Sequence, residues 1–425
     1  MDMTKEVFDA VVAGGGAAGL TAAIFAARAG SRVLVLEQKE KLCKKIYATG
    51  NGKCNFTNKD WQASYFRGSN SSLAEPVLRS FDLSDTLSFF REIGIYPKEK
   101  NGYYYPNSEQ AASVAEALRR EAERLLVQWI PEKRVCRAEK TKDGLFLAET
   151  DDGMRFFGKS MVLATGGKAS PIHGSDGSGY PLAEAFGHTV IPPLPAVVQL
   201  KAEGKFFKTL AGVRTEGTVR LHIGTESYTE QGEILFAAYG ISGIPVMQLS
   251  RYASVALAEK KAVRAELDLF PAADEAELIK ELIARFSRMA QNTVEEAMGG
   301  LCNHKLNYVV LGLCGISPTR TAGELTAMAA VRIAEQLKHF TVKITGTNGF
   351  EQAQACTGGV PLTELTERME SKSVKDLFFV GELTDIDGTC GGYNLQWAWS
   401  SGAAAGREIG GRYASHTTAK TKHSS

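Results

Sequence analysis

The chain has 425 residues, 44% hydrophobic and 23% charged, which points to two or three globular domains and excludes a disordered composition. A net charge of +1 excludes the broad basic face of a dedicated nucleic-acid binder, and no apolar run reaches the ~18 residues of a membrane span. Seven cysteines, odd in number and scattered without a CxxC pair, argue against a zinc site or a redox dithiol and fit a reducing compartment.

Val7–Ala13 is a short apolar run of the kind that forms a strand buried on both faces. The residues before it carry acids and no basic stretch, so no secretory leader is expected. Gly14, Gly16 and Gly19 then fit GxGxxG. The first glycine allows a tight turn, the second lets the backbone approach a pyrophosphate, and the third lets helix and strand pack closely. An Ala-rich helix follows and ends at Gly30. Its N-terminus offers N–H groups and a favourable dipole to a phosphate. A second apolar strand, Arg32–Leu36, ends in Glu37, 18 residues past Gly19, where a carboxylate can accept both ribose hydroxyls. An acid with no arginine beside it favours an adenosine ribose without a 2′-phosphate, which suits FAD and NAD alike.

Residues 61–160 read as an excursion within the same domain, with a charged helix over Glu109–Leu126 and a hairpin of Gly144–Thr150 and Arg155–Phe157. Met161–Pro171 runs from an apolar strand into a turn at Thr165, Gly166 and Gly167, like the return strand of a two-domain flavoprotein. The proline cluster Ile191–Pro195 marks an exit from the domain. Val197–Tyr228 alternates as β-structure, Asp274–Gln291 and Ala322–Lys338 read as amphipathic helices, and Val342–Ala355 returns as strand. Leu377–Asp385 is an apolar strand ending in Gly381 and Glu382, where a carboxylate can take the ribitol hydroxyls of a flavin. Gly391 and Gly392 then open a helix whose N–H groups can face the anionic edge of a reduced flavin, with Trp397 and Trp399 anchoring it. These three segments favour FAD over NAD. No second GxGxxG follows a strand, so NAD(P)H is expected as a transient electron donor without a domain of its own. The polar tail Ser415–Ser425 is expected to be disordered.

Ala48–Asn58 (ATGNGKCNFTN), Ala164–Tyr180 (ATGGKASPIHGSDGSGY), Gly232–Ser250 (GEILFAAYGISGIPVMQLS), Thr357–Val360 (TGGV) and Gly381–Gly402 (GELTDIDGTCGGYNLQWAWSSG) together resemble one family. It is that of the YhiN/BaiN-type flavoproteins, FAD-dependent oxidoreductases of bacteria that also include aminoacetone oxidase-like members. The resemblance covers nearly the whole chain. It implies an α/β fold: an FAD-binding, Rossmann-type (glutathione-reductase-like) domain over 1–195 and 345–425, split by a β-rich insert (196–270 and 340–355) and a helical insert (271–339). With the readings above it implies further cofactor contacts from Ala17, Ala18, Gln38, Lys45, Gly52, Cys54, Asn55 and Val135, and from Tyr393, Asn394 and Leu395.

The implied activity is NAD(P)H-dependent reduction of a C=C bond conjugated to a carbonyl, steroid- or bile-acid-like enones being one substrate class. Hydride would pass from flavin N5, and a protein group would supply the proton. Tyr239 is the first candidate donor and Tyr393 the second. The alternative is an oxidase that takes hydride from a small amine such as aminoacetone and uses O2. A redox-signalling flavoprotein and an RNA-acting enzyme are further readings, the last disfavoured by the lack of Lys/Arg clusters. The expected partner is a small molecule in the cytoplasm, with no nucleic acid, no metal and no membrane span; the oligomeric state is open. Cys54 and Cys390 read as packing residues near the flavin, His173 as a loop residue, and Tyr103–Pro106 as an aromatic wall or a packed turn. Two departures from the family pattern are Ala237-Ala238, where polar residues are usual, and Lys53 for arginine, which keeps the charge and loses the fork geometry.

Overall fold

Residues 6–413 are described by a computed structural model, so the tail from Ser415 lies outside the described residues. The chain divides into two units, Met1–Leu194 with Gln354–Ser425, and Pro195–Ala353.

In the first unit Val7–Ala13 is a central strand of a seven-stranded sheet. It pairs in parallel with Val33–Leu36 on one side and Arg155–Leu163 on the other. Val33–Leu36 is apolar and buried at every position, as a strand covered on both faces must be. On its other edge Arg155–Leu163 has two further partners. Its first half pairs antiparallel with Phe146–Thr150, and its last three residues pair in parallel with Leu377–Phe379. The hairpin therefore flanks the sheet, while the distant segment 377–379 is brought beside the first strand-turn-helix motif.

The helix Ala17–Arg28 follows the first strand, and the helix Tyr393–Tyr413 lies against it. Close approach explains the glycines of the later helix. A Cβ at Gly402 would stand 2.5 Å from the Ala18 carbonyl oxygen, and one at Gly406 would stand 2.4 Å from that of Ala22. Trp397 and Trp399 anchor the first turns of the same helix. The Trp397 indole donates to the Thr384 hydroxyl (3.0 Å), and that of Trp399 donates to the Phe56 carbonyl (2.9 Å).

The second unit is a closed barrel of Leu200–Ala202, Gly240–Ser242, Glu226–Ala237, Arg214–Ile223, Val263–Asp268 and Phe340–Thr347, in that order. The helices of this unit share its core. Leu278, Leu282, Phe286, Ile333 and Leu337 belong to one buried cluster with Phe236, Leu267 and Phe340 of the barrel. The β-rich and helical inserts, expected as separate domains, are thus one unit, because each needs the other to bury its apolar face.

Several boundaries differ from expectation for local reasons. The helix expected over 109–126 is Ala111–Arg124, since Glu109 sits at φ +51°. The helix expected from Ala322 starts at Ala327, where the Thr326 side chain accepts from the Ala329 N–H (3.3 Å). The segment 342–355 is no single strand. Phe340–Thr347 ends the barrel, a turn of helix spans Gly349–Gln352, and Ala355–Gly359 begins a new strand in the first unit. Among the described residues no helix is long and apolar enough to cross a membrane.

Candidate functional site

A cavity of about 1110 Å³, measured out to its open mouth, lies at the carboxyl ends of four parallel strands. Part of its lining comes from Ala13, Gly14 and Gly16–Ala18, from Leu36–Gln38, Ala164–Gly166 and Val380–Glu382, each at the end of one of those strands. Open α/β sheets hold their ligands in such crevices.

The two leading glycines differ in what requires them. Gly14 has φ +106°, and a Cβ there would sit 2.4 Å from the Ala164 carbonyl oxygen. The protein's own backbone demands a glycine. Gly16 has φ −80°, open to any residue, and a Cβ there would meet no atom within 4 Å. Among the described residues nothing fills that space, and it borders the cavity at the helix N-terminus. The first N–H groups of Ala17–Arg28 have no intrahelical acceptor. That cradle, with no acid in the first turn, fits the pyrophosphate of a dinucleotide.

Glu37 lines the cavity and is 8% exposed. Its two oxygens accept from the N–H groups of Gly15 and Lys39, each at 2.8 Å. Burial pushes its carboxyl above the ordinary range, against the pull of these N–H groups. Glu382, expected to wait for ribitol hydroxyls, is engaged on both oxygens. It pairs with Lys45 at 2.7 Å and accepts from the Cys356 N–H at 2.9 Å. The Gln38 amide donates to the Gly174 carbonyl.

Of the residues expected at a cofactor, Gly14, Gly16, Ala17, Ala18, Glu37, Gln38, Lys45, Val135, Thr165, Gly166, Gly381, Glu382, Asn394 and Leu395 line this one cavity. They come from seven separate stretches of sequence. The lining fits FAD.

Eight other residues do not line it. Gly19 is a packing residue, its Cβ position 2.0 Å from the Gly14 carbonyl oxygen. Gly167 is likewise closed off, by the Cys356 thiol at 2.3 Å from its Cβ position. Gly52 and Cys54 belong to a tight turn in which Gly50, Asn51, Gly52 and Cys54 all have positive φ. Cys54 is fully buried, and burial pushes its thiol up to about 12, which suits packing and not nucleophilic attack. Gly392 admits a neighbouring chain segment: its Cβ position lies 2.9 Å from both the Asn55 Oδ1 and the Thr57 carbonyl oxygen. Gly391 similarly meets Tyr103 and Asn58. The paired glycines therefore let the last helix dock on the 55–58 segment. Asn55 Oδ1 is buried there with no hydrogen-bond partner among the described residues.

The two candidate proton donors separate clearly. Tyr393 is 6% exposed, its hydroxyl donates to the Asp60 carbonyl (3.0 Å), and its ring packs on Tyr65 and Phe66. Burial raises its phenol above the ordinary range. It is a structural tyrosine. Tyr239 sits at the tip of the tight hairpin between Glu226–Ala237 and Gly240–Ser242 in the second unit, 38% exposed. Among the described residues its hydroxyl has no partner.

Sequence reasoning missed Cys43, Lys44, Thr49, Lys133, Arg134 and the run His173–Ser175, all of which line the cavity. His173 was read as a plain loop residue; it lines the cavity with its Nδ1 at 2.7 Å from the Ser170 hydroxyl. The family motif Ala164–Tyr180 was the available signal for that stretch. Arg134 carried a weaker one, as the neighbour of Val135. Tyr103–Pro106 is a strand of a small sheet with Pro97–Lys100 and Thr57–Asn58, not a wall of this cavity. Lys53 is paired with Glu109 (2.9 Å).

Comparison with known proteins adds three findings. The family model described as HI0933-like protein Rossmann domain matches residues 8–408. The chain is 41% identical over 400 residues to the 3-dehydro-bile acid delta(4,6)-reductase of Clostridium scindens, covering 93% of this chain and 97% of that one. It is 29% identical over 409 residues to the ribosomal RNA dihydrouridine synthase of Escherichia coli, covering 95% and 98% of the two chains.

Proposed function

This chain belongs to the HI0933-like Rossmann-domain family, and on that premise we propose that it is an FAD-dependent reductase of a carbon–carbon double bond conjugated to a carbonyl. The observation that carries this reading is the 41% identity to a bile-acid reductase along almost the whole of both chains. A steroid-like enone is therefore the proposed substrate, and NADH or NADPH the proposed electron donor. Bound FAD supplies the hydride chemistry. The chain supplies the rest. The N-terminus of Ala17–Arg28 binds phosphate, Glu37 holds a ribose, and the Lys45–Glu382 pair fixes charge at the far side of the cavity. Tyr239 is the proposed proton donor because its hydroxyl is exposed and uncommitted.

A second reading draws on the relative named as a ribosomal RNA dihydrouridine synthase. The reducible double bond of a uracil ring is also conjugated to a carbonyl. Hydride and proton would be delivered in the same way, and only the substrate would differ. The net charge of +1 favours the small molecule, since RNA binding draws on clustered positive charge.

The test is an anaerobic visible spectrum with NADH and then NADPH, followed by turnover with a steroid enone and with uridine-containing RNA. Bleaching of the flavin bands and a saturated steroid ketone are expected. Reduction of RNA alone would establish the second reading. A flavin bleached only by aminoacetone and quickly reoxidised by air would replace both with an amine oxidase.

A further inference from the structure

We propose that the segment Ser170–Ser178 is a strap retaining the bound dinucleotide, and that Gln38, Arg134 and Asp176 are positioning residues that keep it closed. This rests on the FAD reading above. His173, Gly174, Ser175 and Ser178 line the cavity, while Ile172 in the same turn is 71% exposed. The segment thus stands between the cavity and water. Its path needs left-handed backbone at Ser170 (φ +65°), Gly174 (φ +102°) and Gly177 (φ +84°). Glycine adopts that region readily, so of these three only Ser170 is strained and must be held by its surroundings.

Two tethers hold it. The Gln38 amide donates to the Gly174 carbonyl, and a Cβ at Gly174 would lie 3.3 Å from the Lys39 side chain. Arg134 pairs with Asp176 at 3.2 Å, and Asp176 also accepts from the Ser178 N–H at 3.0 Å. Placement makes this more than a loop with hydrogen bonds. Gln38 directly follows Glu37, and Arg134 directly precedes Val135; all four line the cavity. The ribose-binding position and the start of the strand Val135–Lys140 each have a neighbour that grips the strap. A dinucleotide lying between Glu37 and Val135 leaves that end of the cavity only when the grips release. Affinity differences among variants of one site reside mostly in the release rate.

The experiment uses the FAD-loaded protein. Release of FAD is followed as a rise in flavin fluorescence after dilution, and the urea midpoint of each apoprotein is measured beside it. Gln38→Ala is expected to speed release about three- to tenfold, the effect of one hydrogen bond. Asp176→Asn is expected to speed it about two- to fivefold, the range of an exposed ion pair. The exchange of Arg134→Asp with Asp176→Arg is expected to return release to within about twofold of wild type. A merely structural role would move the urea midpoint and not release, and would not be rescued by the exchange. Wild-type release rates in both single variants would overturn the strap. So would an exchange that stays as fast as Asp176→Asn, because Arg134 would then act on the dinucleotide directly. Should Asp176→Asn fail to fold, Arg134→Gln reads the same tether. A wild-type protein that takes up no FAD would defeat the underlying reading, a result distinct from unchanged release.

Discussion

Alanine at position 16 adds a methyl group that touches no protein atom, since an ideal Cβ there has nothing within 4 Å and φ is −80°. By itself the fold should tolerate the change and gain about 0.4–1 kcal/mol from the reduced freedom of the unfolded chain. The cofactor should not tolerate it. The methyl group stands where backbone N–H groups must come close to a pyrophosphate, so at least one charge-assisted hydrogen bond is lost. At about 1.5–3 kcal/mol, that weakens FAD binding about 10- to 150-fold. Gly14→Ala is the control with the opposite signature. It forces a side chain onto φ +106° and into the Ala164 carbonyl oxygen at 2.4 Å. Strain and overlap, each about 1–3 kcal/mol, should destabilise the apoprotein itself. Urea denaturation of the apoproteins gives the first quantity, and titration with FAD by flavin fluorescence gives the second. The reasoning is refuted if Gly16→Ala binds FAD within twofold of wild type, or if its apoprotein is less stable than wild type by more than about 1 kcal/mol.

Glu364 accepts from His188 Nδ1 at 2.6 Å and from the Thr189 N–H. Burial works against its charge, yet these hydrogen bonds hold the carboxyl below the ordinary range. Its stabilising effect is therefore present above the unfolded carboxylate pKa and lost as pH falls through the folded one. Glu364→Gln should lower the stability read from urea denaturation at pH 7 by about 1 kcal/mol, and by progressively less as the pH falls through the folded-state pKa; a loss that stays the same throughout acid titration would refute the linkage. Trp397→Phe removes the indole donor to the Thr384 hydroxyl and leaves a gap in a fully buried site, while the Gly381 carbonyl keeps the Thr384 hydroxyl and N–H; it should cost about 1–3 kcal/mol by the same assay. Tyr393→Phe removes only a hydroxyl bound to the Asp60 carbonyl and should keep kcat within about threefold, whereas Tyr239→Phe should lower it about 100-fold or more. The reverse ranking would exchange the two roles.

The nucleotide half-site was legible because strand, glycines, helix and acid follow one another within the first 37 residues, so chain order and spatial order coincide. The strand ends at Gly166 and Gly381 were legible for the same local reason, apolar run then glycine. Gly391 and Gly392 show where such reading stops. A glycine pair signals close approach but not what approaches, and here it is the 55–58 segment of the same chain. Gln38 and Glu382 show a second limit. Their side chains are committed to Gly174 and to Lys45, partners 136 and 337 residues away that no local pattern links to them. Whether the barrel and its helices form one unit or two depended on which residues fill a common core, and Leu282 and Phe340 carry no mark of each other in sequence.

The seam of Gly402 and Gly406 against Ala18 and Ala22 has a consequence for synthesis. The chain leaves the ribosome from its N-terminus at about 5–20 residues per second, so roughly 20–80 s separate the two sides of that seam. During that interval Ala17–Arg28 lacks the helix that covers it, and its apolar face is open to other chains. The strand Leu377–Phe379 is missing from the sheet for nearly as long. Loading with FAD is therefore a late event on the nascent chain, and a ribosome that stalls within the barrel-encoding stretch leaves a nucleotide motif that is fully translated and unable to close.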